Sequence, residues 1–326
     1  MEFMPEFNTA RPTTMAEALA LQAAEPDARF LAGGTDLIPN IRRGIVAPPS
    51  VIDLNGIDEI RKIEALDGGL RIGAAVTLAE LSGDDRVRAA YAGLVEAAGG
   101  IAANTHRQVG TVGGNLCLDT RCVFYNQSEW WRRSNDYCLK SRGDVCHVAP
   151  KGNHCFAAFS GDLAPALIVL GAEVEIAAPA GERIVPLTEI YRDDGMDYLT
   201  LGPDEIIAAV RVPALGDGIR TGYAKSQVRS AIDFPLAGIA VALRRDSEAI
   251  AELRIALTGT NSMPLSVLGT DGLTGGPPDD AMLDTLDKLM GKQIQPMNST
   301  FTPPGYRRRV VAKLTRSVIR KLYQGD

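Results

Sequence analysis

Four cysteines, Cys122, Cys138, Cys146 and Cys155, fall within one stretch of 34 residues, and the chain has one other, Cys117. The same stretch holds both tryptophans, Trp130 and Trp131, and two of the three histidines, His147 and His154. Soft ligands gathered in this way point to a metal or redox site. Four thiolates bind either a tetrahedral zinc or a [4Fe–4S] cluster. The spacing C-x15-C-x7-C-x8-C is neither a common ferredoxin motif nor a C-x2-C zinc knuckle, so it leaves both metals open. His147 and His154, each beside a cysteine, add a Cys3His zinc set to the choices. An odd number of clustered cysteines argues against a disulfide framework.

Two glycine-rich turns suggest a phosphate ligand. "FLAGGTD" (Phe30–Asp36) puts two glycines at the end of a strand and just before a helix. "GTVGGN" (Gly110–Asn115) is a second such turn, with hydroxyl and amide side chains. Glycines there let backbone N–H groups approach a phosphate, and the helix N-terminus adds a favourable field. Alone, each is as readily a tight turn; together they fit a ligand with two phosphates held from both sides. No Walker A loop and no G-x-G-x-x-G is present, which disfavours a P-loop or a Rossmann site.

Local patterns supply the elements that carry these turns. "TTMAEALALQAA" is a helix with a capping Thr, "ARFLAGG" a short buried strand, "TDLIPNIRRG" a helix and "SVIDLNGI" a strand. These make a first α/β unit over 1–57. A second unit, 58–216, contains "LRIGAAVTLAEL", the amphipathic helix "RVRAAYAGLVEAAGGIA", and a helix followed by a hairpin that bends at Pro179–Gly181. The third, 217–326, has three strands and then helices over 279–292 and about 304–323. Between Leu116 and Phe156 the periodicity stops, so 117–156 reads as an insertion into the second unit. The fold class is α+β in three subdomains.

Composition narrows the class of protein. Apolar residues are 45% and charged residues 23% of the chain, as in ordinary globular proteins. A net charge of −6 argues against a general nucleic-acid binder. No apolar run approaches the ~20 residues of a membrane helix. The acidic N-terminal stretch does not read as a signal peptide, so a cytoplasmic location is expected.

"LAGGTDLIP", "QVGTVGGNL", "SGDLAPALIVLGA" and "YAKSQVRSAIDFPLAGIAVAL", in this order and spacing, resemble the FAD-binding (medium) subunits of the molybdenum hydroxylase family, which includes xanthine and carbon monoxide dehydrogenases. The resemblance reaches from the N-terminus to "YRRRVVAKLTRSVIRKL". It implies a vanillyl-alcohol-oxidase-like FAD fold, with two α/β FAD-binding subdomains and a C-terminal α+β domain. It places Leu31, Ala32, Gly33, Gly34, Thr35 and Asp36 on the FAD pyrophosphate, together with Thr111, Gly114 and Asn115. Ile101 and Lys225 fall near the flavin ring. Asp162 matches an aspartate that contacts FAD, and "GDLAPAL" equally reads as a helix N-cap. No catalytic residue is assigned, since the substrate site of such complexes is on a partner subunit.

The chain departs from the family pattern in the distance from Asn115 to Asp162, 47 residues, where about a dozen are usual. The added stretch is the cysteine-rich segment. In a flavin subunit that passes electrons, a one-electron centre has a use that zinc lacks, which favours [4Fe–4S] with Cys122, Cys138, Cys146 and Cys155 as ligands. Cys117, next to the glycine motif, is read as a small buried hydrophobe. Phe124, Tyr125, Trp130 and Trp131 are expected to shield the cluster. A flavin subunit with such an insertion resembles the medium subunits of 4-hydroxybenzoyl-CoA reductases. That likeness implies a molybdopterin-binding large subunit, a small subunit with two [2Fe–2S] clusters, a dimer of heterotrimers and ferredoxin as electron donor. The locally basic insertion, with Arg132 and Arg133, is the expected docking surface for the donor.

Overall fold

The computed structural model describes residues 4–298 and 302–325. The first unit is a parallel sheet in the order β1-β3-β2, with β1 at Asn8–Ala10, α1 at Met15–Ala24, β2 at Arg29–Leu31, α2 at Leu37–Arg42 and β3 at Ser50–Asp53. The hydroxyl of Thr14 accepts from the Glu17 N–H and starts α1, as its position suggests. β2 is part-exposed rather than the buried strand expected.

The second unit is built on an antiparallel sheet, β4-β5-β8-β6-β7. Its elements are β4 at Ile63–Leu66, β5 at Gly69–Gly73, α3 at Leu78–Gly83, α4 at Asp85–Ala90, α5 at Ala92–Gly99, α6 at Asn104–Arg107, α7 at Val112–Leu116, α8 at Glu129–Ser134, α9 at Leu163–Val169, β6 at Glu173–Ala178, β7 at Gly181–Pro186 and β8 at Ile206–Val212. The single helix expected over Arg86–Ala102 is two. Tyr91 leaves helical geometry at φ −128°, ψ 62°. Its ring is buried and its hydroxyl donates to the Pro213 carbonyl. A tertiary contact has overridden a continuous helical pattern.

The third unit holds β9 at Ile219–Ser226, β10 at Ala237–Asp246, β11 at Ala249–Thr258, β12 at Leu265–Ser266, α10 at Asp280–Gln293 and α11 at Pro304–Gln324. Its sheet, β12-β11-β10-β9, is antiparallel and buried on both faces. The side-chain period of two divides β10 between two cores. Ala240 and Ala242 face the second unit, while Ile239, Val241 and Leu243 face α10 and α11. Small residues on the first face let helices approach closely, and a Cβ on Gly93 of α5 would stand 2.9 Å from the Gly222 nitrogen of β9.

The insertion has little regular structure beyond α8. It leaves and re-enters the scaffold at one place, where Arg121 and Ala158 exchange backbone hydrogen bonds. Its core is made of the cysteines themselves: Cys122, Cys138 and Cys155 pack with Tyr125, Ala157, Ala158 and Met297.

Candidate functional site

The two glycine turns meet. Gly33 lies so close to the second turn that a Cβ on it would overlap the Val109 carbonyl and come within 2.7 Å of the Gly110 Cα. Only glycine fits there. Gly34 adopts φ +69°, the left-handed region that turns the chain from β2 toward α2. Asn55 Nδ2 donates to the Ala32 carbonyl at 2.8 Å and holds the first turn from below. In the second turn the Thr111 hydroxyl accepts from the Gly114 N–H at 3.1 Å, so that N–H is already engaged. The Asn115 side-chain oxygen accepts from Leu163 N–H at 3.1 Å, which ties the second turn to the start of α9.

Asp162, Tyr223 and Lys225 form a buried group beside these turns. The Lys225 ammonium is 3.2 Å from Asp162 Oδ1, with side chains 9% and 5% exposed. Tyr223 donates to the same carboxylate at 2.6 Å. Asp162 occupies the N-cap position of α9 without making a side-chain cap hydrogen bond, because its oxygens serve Tyr223 and Lys225. Burial holds its carboxyl above the ordinary carboxylate range, against the pull of the Lys225 ammonium and the Tyr223 hydroxyl. Lys225 is therefore an interior cation, not a surface strand lysine. Ile101 follows α5, and its carbonyl accepts from Arg107 Nη1 at 2.6 Å; Gly100 lies against the Lys225 side chain. Leu31–Asp36, Thr111–Asn115, Ile101, Asp162 and Lys225 thus belong to one region.

Sequence reasoning missed Arg121. This residue of the insertion is ion-paired with Asp36 and lies 4.6 Å above the Phe234 ring. Its Nε is buried and has no hydrogen-bond partner among the described residues. An orphaned buried donor beside a glycine turn fits an anionic oxygen, and a pyrophosphate supplies one. Arg121 also neutralises the Asp36 carboxylate, which would otherwise repel phosphate. On these grounds the residues present fit FAD.

The insertion collects the other chemistry. Cys122, Cys138, Cys146 and Cys155 are all free, all buried, and all line one small cavity with Phe124, Tyr125, Leu139, Lys140 and His147. Burial pushes the Cys155 thiol up to about 12 and raises that of Cys122. Cys117 is outside the cavity, packed part-buried against the main core. Among the described residues no three His, Cys, Asp or Glu side chains are grouped to hold one metal ion. Thiolates on a single zinc, with Zn–S of about 2.3 Å, must converge to about 3.8 Å from one another. Four buried thiols on one cavity are a donor set for either a zinc ion or a [4Fe–4S] cluster.

The wall around Cys138 is held firmly. Asp136 and Tyr137 both have positive φ, at 54° and 58°, a costly pair for non-glycine residues. Gly143 packs against them, and His147 Nε2 contacts the Tyr137 carbonyl. His147 is engaged in that way, while His154 stacks on Phe156 with centroids 4.1 Å apart and is not part of the wall. Two expectations need correction. Trp130 is 75% exposed and is not among the residues lining the cavity. Arg132 is 3% exposed and donates to Gly44 O, Tyr125 O and Glu129, because it joins the insertion to the first unit.

Known proteins resemble this chain over most of its length. Residues 5–215 match the family model described as the FAD binding domain in molybdopterin dehydrogenase, and residues 222–322 match the CO dehydrogenase flavoprotein C-terminal domain. The chain is 34% identical over 294 residues to the FAD-binding subunit of an aldehyde oxidoreductase of Escherichia coli, covering 87% of this chain and 90% of that one. It is 30% identical over 256 residues to the carbon monoxide dehydrogenase medium chain of Hydrogenophaga pseudoflava, covering 78% and 75%. The fold is similar to CO dehydrogenase from Oligotropha carboxidovorans, with a TM-score of 0.83 at 24% identity over 99% of this chain and 100% of that one. The α+β architecture expected from the sequence is therefore the fold observed, and the chain belongs to the FAD-binding subunits of the molybdenum hydroxylase family.

Proposed function

We propose that this chain carries FAD between its two glycine turns and one [4Fe–4S] cluster in its insertion, and passes electrons within a molybdenum hydroxylase complex. Four buried, unpaired thiols around one cavity, in a subunit that passes electrons, support the cluster reading. Leu31–Asp36, Thr111, Gly114 and Asn115 hold the pyrophosphate side of FAD, with Arg121 added to them; Ile101, Asp162 and Lys225 stand at the ring. FAD supplies exchange between two-electron and one-electron chemistry, and this chain supplies binding, orientation and charge.

The partners in this reading are a molybdopterin-binding large subunit and a [2Fe–2S] small subunit, in a dimer of heterotrimers. The similar proteins named for an aldehyde oxidoreductase and a carbon monoxide dehydrogenase favour a complex that oxidises its substrate and sends electrons outward. The four-cysteine insertion favours a second reading, 4-hydroxybenzoyl-CoA reductase fed by ferredoxin. Cofactor analysis of the purified full chain tests the proposal. It expects about one FAD with about four irons and four sulfides. Zinc in place of iron, at full flavin occupancy, would leave the flavin reading standing and remove the cluster.

A further inference from the structure

Among the described residues the cavity wall contains one lysine and no arginine. Lys140 has a side chain 6% exposed, deep for an ammonium group. Its Nζ lies 2.6 Å from Asp119 Oδ1 and 2.9 Å from the Gly195 carbonyl, and it also reaches the Thr120 hydroxyl and, at 3.3 Å, the Thr120 carbonyl. The Tyr125 and Tyr198 rings stand 4.8 and 5.6 Å from it. An ammonium has three protons, and Asp119, Thr120 and Gly195 use all three. Lys140 therefore has none left to donate into the cavity. What it offers the cavity is a fixed positive charge.

Those bonds brace the entry of the insertion against the loop that carries Gly195, and they also fix a cation at the cavity wall. Closing a 40-residue insertion onto its scaffold can be done without burying a cation, and burying one costs several kcal/mol before its partners offset it. Asp119 does not line the cavity, and its side chain is 25% exposed, so solvent screens it more than it screens Lys140.

We infer that Lys140 sets the reduction potential of the cluster in this cavity. The inference rests on the cluster reading above. Four thiolates around a [4Fe–4S] core give an anion, and one-electron reduction adds a further negative charge. A buried cation stabilises the reduced form more than the oxidised one and so raises the potential. Lys140 is a positioning charge: it touches no substrate and ligates nothing. Asp119 tempers it from the outside, and the Asp119–Lys140 pair is the setting.

Redox titration of the full chain, followed by electron paramagnetic resonance and paired with iron analysis, tests this. Lys140→Met, close in length and uncharged, should keep its iron while cluster reduction becomes about tenfold less favourable, a shift of about 59 mV to lower potential. Asp119→Asn should move the potential the other way, with the lysine and the fold in place. Lys140→Arg should restore most of the wild-type value. Potentials that do not move in either Lys140→Met or Asp119→Asn, with iron retained, would overturn the inference alone. So would loss of iron in Lys140→Met combined with an unmoved potential in Asp119→Asn, since the lysine would then be structural. Absence of iron from the wild-type chain would overturn the cluster reading and this inference with it.

Discussion

Arg121 is ion-paired with Asp36, and that contact joins the residue before the first cavity cysteine to the end of the first glycine turn. The two candidate cofactor sites are therefore mechanically connected. Replacing Arg121 with Leu leaves the Asp36 carboxylate uncompensated at the turn proposed to hold the pyrophosphate. The pair is part-exposed, so the stability cost should fall below the ~3–5 kcal/mol of breaking a fully buried pair. FAD affinity should drop at least tenfold by titration of the apoprotein, and Arg121→Lys should recover part of it. An unchanged affinity in Arg121→Leu would remove Arg121 from the flavin site.

Gly33→Ala should be far more damaging than its single methyl suggests. The added carbon overlaps the Val109 carbonyl, and backbone cannot step aside as a side chain can. Flavin content of the purified variant should fall severely, with a stability loss in the upper part of the ~1–3 kcal/mol range for overpacking. Gly83→Ala is the control, because none of the described residues lies within 4 Å of its added carbon. It should keep full flavin and wild-type melting.

The insertion should weaken in acid through Glu129. This carboxylate accepts from Arg132 and Tyr137 and faces Arg133 and Arg142, and these contacts hold it down at about 2. A depressed carboxylate stabilises the fold above its unfolded value of ~4.3 and loses that contribution as pH falls toward the folded value. Glu129→Gln should therefore melt below wild type at pH 7, with the gap narrowing as the pH approaches 2. A gap independent of pH would contradict this account of the insertion.

Much of this was readable from the chain, for identifiable reasons. The Thr14 cap, the bend at Pro179–Gly181 and both C-terminal helices depend on local chemistry, and local chemistry is written in neighbouring residues. The clustering of four cysteines is likewise a sequence fact. What escaped depended on distance in space. Tyr91 breaks a helix because Pro213 waits 122 residues away. Strand β8, buried along its length, lacks the alternation that marks a half-exposed strand. Arg121, Arg132 and Lys140 looked like a basic surface because charge counting cannot see Asp36, Glu129 and Asp119 consuming it.

That consumption changes the expected docking behaviour. Reversal of Arg132 to Glu puts a negative charge where Gly44 and Tyr125 offer only carbonyls, so it should destabilise the protein by several kcal/mol rather than tune an encounter. Arg133 is exposed and its reversal should leave melting nearly unchanged. If an acidic carrier docks here, Arg133→Glu together with Arg142→Glu should flatten the salt dependence of its reaction rate with the assembled complex. Equal melting temperatures for Arg132→Glu and Arg133→Glu would show that the buried contacts of Arg132 are unimportant.

The cluster claim is tested most directly by the electron paramagnetic resonance spectrum of the chemically reduced full chain, integrated per flavin. About one cluster spin per FAD is expected, lost in Cys122→Ser, Cys138→Ser, Cys146→Ser or Cys155→Ser and retained in Cys117→Ser. A reduced chain that carries flavin but shows no cluster spin, or one whose signal disappears only when Cys117 is changed, would contradict it.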